Sequence, residues 1–284
     1  MTAIAPIAWG TTYFVTKQFL PADYPLYGAL IRALPAGLVL LAIRRKLPTG
    51  SWWWKSLVLG TINIAAFFVL VYQAAQLLPS SVASTIMALS ATVMMLLAWP
   101  VLRERPRALS LVGALAGFVG VCVMLLGDAS AVNPVGVLVS LSALGLSSVG
   151  FILTRKWSRD VDVLSLTSWQ LIAGGLVILP FAVAIEGAFP PLELPALLGF
   201  GYVTLVATAL AFAAWFAGLK RLTGATVGLI GLLNPVAGVL LGTLVVSEPF
   251  GAQQLIGTAL VLAGIAVGLP RKPRLNPARR PALR

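Results

Sequence analysis

Histidine is absent from this chain of 284 residues, and cysteine occurs once, at Cys122. The first absence removes the commonest metal ligand and the side chain that titrates near neutral pH. The second excludes an intramolecular disulfide. Charged residues are also scarce, at 10%, against about 25% in a typical soluble domain. A chain that is 59% hydrophobic cannot build a polar shell at this length, so most of its surface must face lipid.

Long apolar runs take the place of the missing polar surface. They recur at lengths near 20 residues, enough for a helix to cross about 30 Å of hydrocarbon. Strand-like alternation is absent, so the pattern predicts an all-α integral membrane protein. The first run lacks a basic leader and a cleavage site, and we expect it to be retained as a span. Proline, glycine and charge clusters delimit ten predicted transmembrane helices: 3–20, 25–43, 56–77, 80–102, 108–127, 134–154, 162–184, 194–218, 224–246 and 251–269.

The basic residues follow these limits. If both termini are cytoplasmic, the inner loops and the tail contain eighteen of the 20 basic residues, and the outer loops contain none. Basic residues resist translocation, so this asymmetry predicts the orientation and supports the number of spans. The net charge of +12 therefore reports topology, and we expect no nucleic-acid partner. The inner basic residues are Arg44, Arg45, Lys46, Lys55, Arg103, Arg105, Arg107, Arg155, Lys156, Arg159, Lys220, Arg221, Arg271, Lys272, Arg274, Arg279, Arg280 and Arg284.

The chain contains an internal repeat. The segment RERPRALSLVGALAGFVG (103–120) aligns without gaps with SEPFGAQQLIGTALVLAG (247–264), but the second copy has lost the arginines. This loss is expected if the chain consists of two halves of five spans each, because an odd number of spans inverts the second half and places the loop 247–251 outside, where basic residues are disfavoured. We therefore predict two inverted five-helix repeats around a central cavity, 1–130 and 131–270, and a basic cytoplasmic tail, 271–284. Inverted repeats are typical of transporters that open alternately to either side.

A few aromatic and polar residues lie inside the predicted spans and are candidates for the cavity lining. Trp9 and Trp169 lie deeper than the other tryptophans, and either stack on a substrate or face lipid. Asn234 precedes Pro235 in the ninth span, where the proline either only kinks the helix or exposes Asn234 to the substrate path. The predicted cavity-lining residues are Trp9, Tyr13, Tyr72, Ser90, Trp169 and Asn234.

Lys17 and Arg32 are the basic residues that break the charge rule, because both lie within predicted spans near the outer surface. An intramembrane cation indicates a functional site by default. The two residues either line an outer vestibule and bind substrate or snorkel to the headgroups. Arg32 is the deeper one, and its planar guanidinium suits a carboxylate. Its equivalent in the second repeat is the neutral Gln170.

The ends of the two repeats also carry a family resemblance. Segments 84–121 and 228–265 each contain a glutamate followed by glycines nine and sixteen residues later, and the first span contains WGTTYFVTK (9–17). These features resemble the drug/metabolite transporter superfamily, specifically its ten-span EamA-type exporters, and within them the aromatic and broad-range amino-acid exporters. The resemblance implies efflux of amino acids by alternating access through a central cavity.

Together these observations predict a secondary transporter of the bacterial inner membrane that exports small organic solutes, foremost amino acids including aromatic ones. An alternative is a nucleotide-sugar or organic-phosphate exchanger, with Lys17 and Arg32 as phosphate ligands. An intramembrane enzyme is disfavoured, because the spans lack histidine and paired acids. A P-loop is also missing, which argues against ATP-driven transport. We expect a monomer in the lipid bilayer, with no cofactor and no metal.

Overall fold

The computed structural model describes residues 1–21, 23–78, 83, 86–125, 133–246 and 251–269, and these residues form helices and connecting loops without strands. The predicted tail 271–284 lies outside the described residues, as do Glu248 and the start of the predicted fourth span. The α-helices are α1 Ile4–Phe19, α2 Pro25–Arg44, α3 Trp52–Gly60, α4 Phe67–Leu77, α5 Ser90–Leu102, α6 Ala108–Leu125, α7 Pro134–Trp157, α8 Val163–Phe181, α9 Leu194–Thr204, α10 Ala211–Arg221, α11 Gly224–Gly231, α12 Leu233–Val246 and α13 Ala252–Gly268.

Several of these helices are long and apolar enough to cross a membrane, so the chain is an all-helical, multi-pass membrane protein, as the composition predicted. The spans of at least 18 residues in the described chain are Pro25–Arg44, Trp52–Ala74, Pro134–Trp157, Val163–Glu186, Leu194–Arg221 and Gly224–Leu241. Shorter apolar helices are Ile86–Leu102, Ala108–Val123 and Ala252–Gly268. The surface of the helix bundle carries large exposed hydrophobic side chains, such as Leu138, Ile185 and Leu198, which suit contact with lipid.

Two π-helical turns interrupt long spans. Thr61–Ala66 joins α3 to α4, and Leu205–Leu210 joins α9 to α10, so that each span continues through an irregular middle. The two turns have the same length and start 144 residues apart, which is the spacing of the sequence repeat. A third π turn, Ala182–Glu186, extends the end of α8. Such turns loosen the regular backbone bonding and often occur at functional sites.

The helix contacts come in matching pairs. Helix α1 packs on α12 and α7 packs on α5, while α2 packs on α9 and α8 packs on α3.

Helices α6 and α13 pack directly on each other through glycine. A Cβ on Gly113 would lie 2.4 Å from the carbonyl oxygen of Gly264, and a Cβ on Gly120 would lie 2.7 Å from that of Gly257. The glycines therefore allow close backbone packing, which is the usual role of small residues between helices in lipid.

Candidate functional site

A cavity of about 330 Å³ lies between α1, α2, α4, α5, α7, α10 and the junction of α11 and α12. This volume is within the range of small-molecule sites. The lining reaches Thr16, Leu20 and Gln76, at the ends of α1 and α4 that the charge pattern predicts to be outside. The aromatic residues of the lining are Trp9, Phe67, Phe68, Tyr72, Phe151 and Trp215, and its polar residues include Thr12, Thr16, Gln76, Ser90, Ser147 and Asn234. Arg32 contributes a positive charge.

The structure brings five of the sequence-predicted residues together in this lining: Trp9, Arg32, Tyr72, Ser90 and Asn234. Tyr13 and Lys17 belong to α1, but their side chains lie outside the described part of the chain. Trp169 does not line this cavity and lies elsewhere in the bundle. Its indole nitrogen donates to the carbonyl oxygen of Lys46 at 2.7 Å, and its ring lies 5.8 Å from that of Trp52. Trp169 therefore fixes the loop between α2 and α3.

Arg32 is held by the π turn Leu205–Leu210. Its Nε donates to the hydroxyl oxygen of Thr208 at 2.7 Å, and its Nη2 donates to the carbonyl oxygen of Ala207 at 3.3 Å. The guanidinium carbon also lies 4.2 Å from the ring centroid of Phe68, a cation–π contact. These contacts turn the side chain into the protein and not along the helix towards the headgroups. An arginine stays protonated in such a place, so the cavity carries a fixed positive charge.

Trp9 is anchored at the same point. Its indole nitrogen donates to the carbonyl oxygen of Ala207 at 3.0 Å. Its ring lies 5.1 Å from that of Phe212 and 5.2 Å from that of Trp215, so the tryptophan forms part of an aromatic cluster at one end of the cavity. The cluster has the edge and tilted geometries that aromatic pairs favour. The π turn thus positions both a flat apolar surface and a cation on the cavity wall.

Tyr72 and Asn234 face the cavity for different reasons. The hydroxyl of Tyr72 donates to the carbonyl oxygen of Pro21 at 2.8 Å, which ties α4 to the loop after α1. Gly28 leaves room for the Tyr72 ring, since a Cβ there would lie 3.2 Å from it. Asn234 follows the break between α11 and α12, and a Cβ on Gly10 would lie 2.4 Å from its carbonyl oxygen. The helix is therefore broken beside the Asn234–Pro235 pair, and Asn234 lines the cavity.

Trp215 is a lining residue that the sequence reasoning missed. It lies near the end of a predicted span, where a tryptophan often faces the membrane interface, but only 3% of its surface is exposed. It packs 5.6 Å from Phe151 by ring centroids and shares one face of α10 with Phe212 and Phe216. The spacing of these three aromatic residues, at i, i+3 and i+4, marks a buried helix face and is the signal that could have identified it.

Ion pairs join helix ends at the side predicted to be cytoplasmic. The Glu104 carboxylate contacts the Arg155 guanidinium at 2.5 Å and accepts from the backbone nitrogen of Gly224 at 3.2 Å, so it caps α11 and not the helix that follows it in sequence. The Arg44 Nε atom forms an ion pair with the Asp162 carboxylate at 3.1 Å. Burial raises the pKa of Asp162, but hydrogen bonds from Ser165 and Arg44 outweigh it and hold this pKa below its ordinary value.

The profile of the EamA-like transporter family matches residues 1–126 and again residues 134–269. The chain belongs to the EamA-like transporter family. Among relatives of this family, the protein PecM of Dickeya dadantii is 37% identical, over 93% of this chain and 89% of its own. A probable amino-acid metabolite efflux pump of Salmonella typhimurium is 26% identical, over 95% and 93% of the two chains.

The fold of this EamA-like chain has a counterpart in a solved crystal structure. The two superpose with a TM-score of 0.80 at 21% sequence identity, over 94% of each chain. The match establishes the fold, and the family establishes a membrane transporter. The resemblance to the drug/metabolite transporter superfamily read from the repeat ends is thereby confirmed.

Proposed function

We propose that this protein is a secondary exporter of small organic solutes, most of all amino acids including aromatic ones. The observation that carries the proposal is the cavity, in which Arg32 lies beside an aromatic wall that includes Trp9 and Phe68. The guanidinium binds the carboxylate of the solute, and the rings contact its apolar side chain. The name of the Salmonella typhimurium relative, which refers to amino-acid metabolite efflux, supports the same class of solute.

The transport cycle that we propose is alternating access by two inverted five-helix repeats, 1–130 and 131–270, related by a pseudo-two-fold axis in the membrane plane. Three observations support the repeat. The family profile matches the chain twice. The two π turns that interrupt spans keep the spacing of the sequence repeat. The helix contacts also match when the halves are exchanged, since α1 with α12 corresponds to α7 with α5.

The topology that we propose has ten spans in the bacterial inner membrane, with both termini and the tail 271–284 in the cytoplasm. The distribution of basic residues supports this orientation. The transporter acts as a monomer in the bilayer, on a small-molecule substrate, without nucleic acid and without a cofactor. Thiol labelling of a cysteine placed at Gly50 tests the orientation, because labelling from outside sealed cells would contradict it.

Transport by the purified protein in proteoliposomes tests the function. A panel of labelled solutes would contain aromatic amino acids, their decarboxylated amines and an organic phosphate. We expect the aromatic amino acids to move fastest, because only they offer both a carboxylate and a ring of this size. Preferential movement of the organic phosphate would favour the exchanger alternative, and movement of no amino acid would refute the proposal.

A further inference from the structure

A second polar cluster lies inside the bundle, away from the cavity. It consists of Asn63 in the π turn Thr61–Ala66, Thr154 on α7 and Gln170 on α8, and none of the three is more than 1% exposed. The Asn63 amide nitrogen donates to the Thr154 hydroxyl at 3.0 Å and to the Gln170 amide oxygen at 2.8 Å. These bonds tie together three different spans.

The cluster is incompletely bonded. Within the described residues, the Asn63 amide oxygen and the Gln170 amide nitrogen have no hydrogen-bond partner. Rotating both side-chain amides by 180° would instead leave the Asn63 nitrogen and the Gln170 oxygen without a partner. In either orientation, one donor and one acceptor of the cluster therefore stay unpaired. Leaving buried polar atoms unpaired costs about 1–3 kcal/mol each, and an apolar core would be more stable. The contribution of the cluster to stability therefore does not explain its presence.

The cluster is the counterpart of the Arg32 site in the other half. Gln170 is the repeat equivalent of Arg32, and Asn63 and Ala207 are each the third residue of their π turn. Arg32 lies seven residues from the start of α2, and Gln170 lies seven residues from the start of α8. The two sites therefore lie at matching depths from opposite faces. Arg32 lines the cavity, whereas the side chains of the Asn63 cluster are buried.

We propose that Asn63, Thr154 and Gln170 form a second substrate subsite, which opens to the cytoplasm when the two halves exchange conformations. This inference rests on the proposed function. The remaining amide oxygen accepts from the α-ammonium group of an amino acid, and the remaining amide nitrogen donates to its carboxylate. The ligand class is therefore a zwitterionic α-amino acid, loaded at a neutral site inside and released past a cationic one outside.

Gly150 on α7 determines how the subsite is closed. A Cβ on Gly150 would lie 1.9 Å from the Asn63 amide oxygen, so the helix backbone covers that oxygen directly. No solute fits between them here. Opening must therefore move α7 away from the π turn Thr61–Ala66.

Cysteine labelling tests the opening without relying on transport. Thr154→Cys is placed in the full chain with Cys122→Ser, and an impermeant thiol reagent is applied to intact cells and to everted vesicles. We expect modification in everted vesicles only, slowed by tryptophan. Leu171→Cys, which is fully buried beside Gln170, is the matched control and should stay unmodified. Modification from outside, or from neither side, would overturn the subsite.

Kinetics in oriented proteoliposomes test recognition. Gln170→Leu should raise the KM for amino acid presented on the cytoplasmic side by roughly tenfold and leave the KM from the outer side within about twofold. Ser168→Ala, which removes another buried hydroxyl of α8, bonded to the Gly37 carbonyl, should change neither. Equal rises on both sides would mean a merely structural role. Failure of the unsubstituted protein to move amino acids would instead refute the proposed function, while the labelling result would still report the opening.

Discussion

Trp9 and Arg32 donate hydrogen bonds to one acceptor, the carbonyl oxygen of Ala207, at 3.0 and 3.3 Å. The acceptor belongs to a π turn, so the irregular backbone of one span fixes side chains from two others. The positions of both side chains therefore depend on this one backbone oxygen. Substitutions of these two residues can therefore be used to separate effects on solute recognition from effects on folding.

Substitution of Arg32 should distinguish solutes by their carboxylate. Arg32→Gln removes the charge, and we expect efflux of aromatic amino acids to fall roughly tenfold or more, because a charge-assisted pair is lost. Efflux of the corresponding amines should stay within about twofold. Arg32→Lys should fall between, since an ammonium keeps the charge without the planar fork. Equal losses for amino acids and amines would show that Arg32 serves the fold.

Two tryptophans offer a matched pair of substitutions. Trp9→Phe keeps a ring at the cavity but removes the donor to Ala207, and we expect the KM for aromatic amino acids to rise several-fold. Trp169→Phe removes the donor to Lys46 outside the cavity, so it should lower the unfolding temperature and leave KM unchanged. The measurements are KM in proteoliposomes and melting in detergent. A similar KM change in both variants would contradict the assignment.

The close approach of α1 to α12 predicts a steric effect at Gly10. Gly10→Ala would place its Cβ 2.4 Å from the Asn234 carbonyl oxygen, and we expect destabilisation by about 1–3 kcal/mol, as for other overpacked sites. At Gly145 a Cβ would have no neighbouring atom from the described residues within 4 Å beyond its own helix, so Gly145→Ala should be neutral or slightly stabilising. Unfolding temperature and folded yield provide the comparison. An unchanged Gly10→Ala protein would mean that the helices are not in contact there.

Acid should weaken the loop that precedes α8. The hydrogen bonds from Ser165 and Arg44 lower the pKa of Asp162 relative to the unfolded chain, against the opposing effect of burial. The ionised carboxylate therefore stabilises the fold at neutral pH. That contribution is lost as the pH falls through the folded-state pKa, below about 4. Asp162→Asn should melt earlier at pH 7 and lose less stability between pH 6 and 3 than the exposed-site control Asp160→Asn.

Much of the fold could be predicted from the sequence, because apolar length and basic loops are physical requirements of a bilayer. The π turns could not, since their residues, such as Ala65, Ala66 and Ala207, give no local signal for an extra residue in a helical turn. Arg32 was predicted as a site residue because a cation within the hydrocarbon region is costly and by default indicates a functional site. Trp215 was not predicted for the cavity lining, because a tryptophan near a span end suits both an interface and a buried aromatic cluster. Helix rotation, which tertiary contacts determine, decides between the two.

The π turn Leu205–Leu210 amounts to a one-residue insertion that its span absorbs locally. Deleting a residue from a regular helix rotates everything beyond it by about 100° and would carry the aromatic face of α10 away from the cavity. Deleting one residue within this turn would restore regular bonding and preserve the registration of α9 with α10. The span would then keep Phe212 and Trp215 in place and lose the backbone irregularity that Trp9 and Arg32 bind. Such a deletion would separate the shape of the cavity from its polar anchor.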